Sequence, residues 1–279
     1  MKHSAWNPTR RNRKIGTEDS GYSKDNKLVI PDRWSEDKIF WERLSNPVKI
    51  PLKVKNHKIT MFVEPTKHGY IHASTPNDIL KILELIPKEH LQEIEIVVLR
   101  QPKEKEEILK PVWGRFVYYA DLGKYTGAGV YLEAMKVGTE FTWGEKLTPF
   151  DAKELKALEK DGHKVEKIKR GYLVRTTPET VRNTQLFRTL PHEIGHAVDY
   201  LVNSIIPSIE ATNEIESERI TNAFFSKPSL DKEEFANRYS REFYSKNLKK
   251  QILPFPRIID EEFLNNLDLD LKWFGLNKS

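Results

Sequence analysis

The sequence predicts an α+β chain: a small mixed sheet with a backing helix, followed by a mostly helical C-terminal part. Short runs rich in Val, Ile and Tyr recur between Val48 and Ala134 and are separated by turn residues, as strands require. One capped amphipathic segment, from Ser74 to Leu85, interrupts them. After Trp143 the pattern changes, and from Thr177 the apolar residues recur at the three- and four-residue spacings of helices.

Residues 1–27, rich in Asn, Arg, Ser and Gly, read as a basic arm, flexible or bound to a partner. Trp34–Leu44 has a helical period. Val48–Val54 and Lys58–Glu64 flank Lys55-Asn56-His57 and read as a hairpin. Thr75 is placed to cap a helix with Pro76 in its first turn and Asp78 closing a capping box. Ile79, Leu80, Ile82, Leu83 and Leu85 supply its apolar residues, and Pro87 stops it. Three strands are expected next, at Ile94–Arg100, Val112–Tyr119 and Gly129–Ala134, with a charged loop and then a Gly-rich loop between them. Thr148-Pro149-Phe150-Asp151 opens a charged helix to Lys160, and Val165–Ile168 with Tyr172–Val174 forms a short hairpin. Helix then dominates from Thr177-Pro178 to about Ser226, with a break expected at Ile206-Pro207. Ser229–Lys246 is a further helix, with Asp231 as its cap and Glu234 three residues on. These elements divide into the arm 1–27, an α+β lobe 28–176 and a helical lobe 177–279.

Composition excludes several classes. The net charge of the 279 residues is +5, and Lys2, Arg10, Arg11, Arg13 and Lys14 account for all of it. The body is neutral, so the totals do not indicate a nucleic-acid-binding domain. There is no cysteine, which removes disulfides, thiolate metal sites and cysteine nucleophiles. No apolar run approaches the roughly 18 residues that would span a bilayer. The N-terminus lacks the apolar core of a signal peptide, so the expected location is the cytoplasm, or outside the cell by a route without a standard signal.

The segment with chemical content is Leu190-Pro191-His192-Glu193-Ile194-Gly195-His196-Ala197-Val198-Asp199-Tyr200. On a helix, His192 and His196 lie one turn apart on one face and can share a metal ion. Glu193, turned about 100° away, can reach a metal-bound water without being a ligand. Random placement gives about 0.02 such His-Glu-x-x-His spacings in a chain of this composition, which makes coincidence a poor explanation. Gly195 weakens a helix by roughly 1 kcal/mol relative to Ala, which points to close packing against its face. Asp199, seven residues after His192, is within reach of a ligand imidazole and could fix its tautomer.

A catalytic zinc of this type takes a third protein ligand and keeps one position open. A metzincin would continue with Gly at 199 and His at 202; here these are Asp199 and Val202, and no methionine follows the helix. No histidine follows His196, so a downstream ligand is a carboxylate. Glu233 shares a helix face with Ala236, Asn237, Ser240 and Tyr244, which are small or semi-polar, whereas Glu234 shares one with Arg238, Arg241 and Ser245. Periodicity favours Glu233; Glu216, aligned with Ile220 and Ala223, and its neighbour Glu214 are the alternatives.

The stretch His192–Asp199 resembles the zinc helix of zincin-type metallopeptidases. Its Ala197-Val198-Asp199 continuation is similar to the gluzincins of the anthrax lethal-factor-like peptidase group. In that group the third ligand opens a Glu-x-Phe-Ala segment on a later helix, and Glu233-Glu234-Phe235-Ala236 has that form. The resemblance covers these two helices. It implies a zincin-like fold, Zn²⁺ on His192, His196 and Glu233, and hydrolysis of peptide bonds in protein or peptide substrates with Glu193 moving the proton. It also implies that the last strand before the metal helix lies along the cleft and pairs with an extended substrate, which selects Val130, Tyr131 and Leu132 in Gly129–Ala134. Residues 148–176 would then be a specificity insertion. The tyrosine that the group places seven residues before its ligand Glu is Ser226 here, which leaves Tyr200, Tyr239 and Tyr244 as substitutes for stabilising an oxyanion. The competing readings are a non-catalytic zinc-containing structural or interaction protein, and a phage- or toxin-associated hydrolase with one target.

Overall fold

A computed structural model describes residues 42–103 and 112–276, together with the backbone of 15–17 and 28–30. The chain divides into two compact units, Met1–Arg43 and Leu44–Ser279. In the first, β1 (Ile15–Thr17) and β2 (Leu28–Ile30) pair in parallel, so part of the expected arm is held in backbone pairing. The rest of the arm and most of the expected helix at 34–44 lie outside the described residues.

The second unit is a mixed α+β fold built on a five-stranded sheet. Its strands are β3 (Val48–Val54), β4 (His57–Val63), β6 (Ile94–Arg100), β7 (Gly114–Asp121) and β8 (Thr126–Glu133), in the order β3-β4-β6-β8-β7. The central strands β4, β6 and β8 run parallel, and the outer strands β3 and β7 are antiparallel to their neighbours. A minor pair, β5 (Tyr70–Ile71) with β9 (Met135–Lys136), lies apart from this sheet. Helix α1 (Pro76–Leu85) bridges from β4 to β6, and its Thr75–Asp78 capping box forms as the sequence predicts.

One position in this order corrects the sequence reading. The expected cleft strand is β8, and β8 is interior, with β6 on one side and β7 on the other. Val130, Tyr131 and Leu132 are each at most 1% exposed and their backbone groups are spent on neighbouring strands, so they cannot pair with a substrate. Of the two edge strands of this sheet among the described residues, β3 and β7, it is β7 that packs beside the helix carrying His196; it precedes β8 in sequence but lies outside it in space.

Between the sheet strands and Leu190–Tyr200 in sequence stand the helix and hairpin expected at 148–176, joined by a third strand at Glu140–Trp143. Helix α2 (Pro149–Lys160) packs Leu155 and Leu158 against Trp143 and Val174 of a small antiparallel sheet, β10 (Glu140–Trp143), β12 (Gly171–Arg175) and β11 (Lys164–Ile168). It is pinned to the helical part by Arg188, which donates to both oxygens of Glu154 (2.9 and 2.8 Å) and to Asp161 (2.9 Å).

The helical part begins with α3 (Pro178–Thr184), α4 (Leu190–Tyr200) and α5 (Ile206–Ile209), joined into one rod by two wide turns, Gln185–Thr189 and Leu201–Ile205. Each wide turn ends two residues before a proline, Pro191 or Pro207. A proline inside a helix lacks the N–H and crowds the carbonyl four residues back; opening the preceding turn accommodates both. Leu190 N–H accordingly reaches Gln185 O, and Ile206 N–H reaches Leu201 O. The rod thus continues through Ile206-Pro207, where a break was expected, and the chain turns only after Ile209. It resumes as α6 (Glu214–Ser226), α7 (Ser229–Lys249) and α8 (Glu261–Asn266). Helix α7 starts ahead of Asp231, which lies in its first turn instead of capping it.

Both α1 and α4 pack on one face of the sheet. Ile79, Ile82 and Leu83 of α1 and Leu190, Ile194, Ala197 and Val198 of α4 join Met61, Val63, Val97, Leu99, Val130 and Leu132 in a core that also takes in Phe243 of α7 and Phe255, Leu264 and Phe274 of the C-terminal segment. The lobes divided at 176/177 in the sequence reading share this core. No helix among the described residues is long and apolar enough to cross a membrane.

Candidate metal centre

The apolar stripe of α4 faces the sheet, which turns His192 and His196 outward toward α7. Helix α7 crosses α4 at Gly195: a Cβ built there would lie 2.9 Å from the Ala236 Cα and 3.1 Å from its carbonyl oxygen. The missing side chain lets the two backbones approach, which is the reason Gly195 sits in a helix that it otherwise weakens. Ser240, one turn beyond Ala236, fixes α7 further by donating to the Arg188 carbonyl at 2.8 Å.

One turn before Ala236, Glu233 meets the histidines. Its Oε2 lies 3.2 Å from His192 Nε2 and its Oε1 3.5 Å from His196 Nε2. Those contacts, acting ahead of the opposing effect of burial, hold the Glu233 carboxyl well below the usual carboxylate range. A tetrahedral zinc with bonds of about 2.0–2.1 Å separates its ligand atoms by about 3.3 Å, so two imidazole nitrogens and this carboxylate are spaced as one such ion would hold them. The other acids expected as alternatives are elsewhere. Glu216 accepts from the Thr212 hydroxyl (2.8 Å) at the start of α6, and Glu214 is exposed in the same turn.

Glu193 is the second carboxylate at the site, and its donor atom lies within 4.8 Å of those of both histidines. It differs from Glu233 in environment. Glu193 is 7% exposed, and burial pushes its carboxyl up to about 7. His192 opposes that rise, the charge of Glu233 adds to it, and the Phe116 backbone amide and Arg115 oppose it more weakly. Proximity alone would admit either acid as a ligand. The half-exposed Glu233, with one oxygen on each Nε2, suits a cation, and the buried Glu193, titrating near neutrality, suits proton transfer.

Asp199 departs from its expected part. It is buried, but its Oδ1 accepts from the Asn203 side chain at 2.7 Å and no imidazole is bonded to it. Asn203 lies four residues on along the same rod and so reaches Asp199 directly. Beyond Asp199 opens a cavity of about 220 Å³, lined also by Lys227, Glu234, Phe235 and Arg238; neither histidine, Glu193 nor Glu233 lines it.

Strand β7 was expected in the sequence, but its place beside the histidines was not. Phe116 stacks on His196 (6.3 Å between centroids, 18° between planes), and Tyr118 packs edge-on against Phe116, Tyr200 and Phe225. Alternating aromatics at 116 and 118 are visible in the sequence, but nothing local says that this strand lies at the edge of the sheet and over the metal helix. Among the tyrosines that were expected, the Tyr239 hydroxyl is paired with His90 Nδ1 at 3.0 Å and Tyr244 packs against Phe187.

No family model, curated protein or solved structure matches this chain.

Proposed function

We propose that this protein is a zinc-dependent metallopeptidase with a gluzincin-type site, of the lethal-factor-like kind, on a zincin-like fold. The observation that carries this reading is the contact of Glu233 with both Nε2 atoms while a second carboxylate, Glu193, stays buried beside them. His192, His196 and Glu233 would hold the ion, which supplies Lewis acidity toward a water molecule and a peptide carbonyl.

The chain's own residues do the rest. Glu193 takes a proton from the attacking water on its carboxylate and returns it to the amine that leaves. Its position near neutral pH suits both halves of that exchange. The free edge of β7 pairs with an extended polypeptide through main-chain hydrogen bonds, presenting a peptide bond beside His196, on which Phe116 is stacked.

Glu193→Gln tests the reading. Zinc content should be unchanged, while turnover of denatured casein falls by about 10²–10⁴-fold, the usual contribution of a positioned acid–base group. Full activity in that variant, or zinc without any turnover in the wild type, would refute it.

A further inference from the structure

The tyrosine that would stabilise a developing oxyanion is absent from its expected position, where Ser226 stands exposed near the end of α6. We propose that Tyr118, on the edge strand β7, supplies that hydrogen bond, a role that rests on the peptidase reading above.

Four observations carry the assignment. Tyr118 is on the same face of β7 as Phe116, whose ring covers His196, so its ring lies one strand step from the metal ligands. Its ring is held edge-on at 5.2 Å from Tyr200 and 5.3 Å from Phe225, which fixes the direction of the phenol. The charges that bear on its hydroxyl are those of Asp199 first and then Glu233. Among the described residues it makes no hydrogen bond, leaving its proton available to a ligand. Burial, then those two carboxylates and Tyr200, push the phenol up to about 12, so it remains a donor throughout the neutral range.

The other candidates are committed. Tyr239 is bonded to His90, and Arg115 is bound to Glu133 at 3.1 Å. Tyr200, on α4 itself, has its ring packed against Tyr118, Phe224 and Phe225. As the substrate carbonyl carbon becomes tetrahedral its oxygen gains negative charge, and a fixed donor there lowers the barrier without binding the ground state more tightly.

The test compares Tyr118→Phe with Tyr200→Phe, which keep both rings and therefore the packing. In the full-length zinc-loaded chain, Tyr118→Phe should lower kcat on denatured casein by about 10²-fold with KM within about twofold, as removal of one oxyanion donor does. In the cobalt-loaded chain, acetohydroxamate followed by the visible spectrum should bind about tenfold more weakly to Tyr118→Phe, with metal content unchanged. Tyr200→Phe should match the wild type in both. Equal losses in the two variants would overturn the proposal in favour of a packing role, as would a Tyr118→Phe protein within twofold of wild type in kcat and hydroxamate affinity. A wild type that binds metal but neither turns over casein nor takes up acetohydroxamate would refute the peptidase reading, and this assignment with it. An active wild type with an unaffected Tyr118→Phe would refute this assignment alone.

Discussion

Two carboxylates, Asp78 and Glu233, each tie together segments far apart in sequence, and they do it in opposite ways. Asp78 is fully buried and both its oxygens are used: it accepts from Thr75 N–H (3.0 Å), from Arg182 Nε and Nη2 (3.0 and 2.8 Å) and from Ile258 N–H (3.0 Å). Arg182 then donates to the Phe255 carbonyl, so α1, α3 and the C-terminal segment meet at one saturated node. Glu233 is half-exposed, and its oxygens face two imidazole nitrogens, with no backbone donor on either among the described residues. Saturation marks a joint whose work is cohesion. Donor atoms gathered around a common point and left with spare lone pairs mark a place prepared for something else.

The largest effect that would sharpen this contrast is at the joint. Asp78→Ala strands a buried guanidinium and removes a helix cap, and should cost about 3–5 kcal/mol in denaturant unfolding, with zinc making no difference to the loss. A cost below about 1 kcal/mol would show that the node is not what holds the three segments.

Acid attacks the same C-terminal clasp from another side. His72 is buried, its Nε2 is bonded to the Glu64 carbonyl and its own amide to Trp273. Burial lowers its pKa to about 4, with the Glu64 contact opposing, and lowers that of His163 likewise to about 4. Since an unfolded histidine titrates near 6.5, the unfolded chain takes up protons first as the pH falls. The stability they confer is complete above about pH 6.5 and declines as the pH drops toward 4, by up to about 3 kcal/mol for His72. Thermal unfolding between pH 7 and 4.5 would reveal it, and His72→Gln should flatten the slope.

At the open centre the expectation reverses. Zinc at a hundredfold over its Kd should stabilise the wild type by about 2.7 kcal/mol, and Glu233→Ala should abolish most of that gain while altering the metal-free stability little. If Glu216→Ala abolished it and Glu233→Ala did not, the ligand set would be wrong. The smallest effect belongs to the helix crossing. Gly195→Ala gains roughly 1 kcal/mol of helix propensity but forces a methyl against Ala236, costing about 1–3 kcal/mol, and should weaken zinc binding by moving Glu233 away from the histidines. Calorimetric zinc titration of this variant checks it.

What could be read in advance follows from the range over which each interaction acts. The Thr75 and Thr148 capping boxes, the hairpin at 48–63 and the metal-ligand spacing at 192–196 involve residues within a few positions of each other, and backbone geometry alone places them. Periodicity favoured Glu233 because a helix face made of Ala236 and Ser240 turns inward; its contact with the two histidines is tertiary. The strand along the cleft was assigned to the wrong segment because an edge strand and an interior one can share one local pattern, and only the order of strands distinguishes them. The Asp78–Arg182 joint spans 104 residues, and Tyr118 reaches the metal helix across the sheet. Short-range spacing thus settled which groups could do chemistry; the packing of sheet, rod and α7 settled which are buried, which are saturated and which remain open, because desolvation and pairing depend on neighbours that the chain brings together only when it folds.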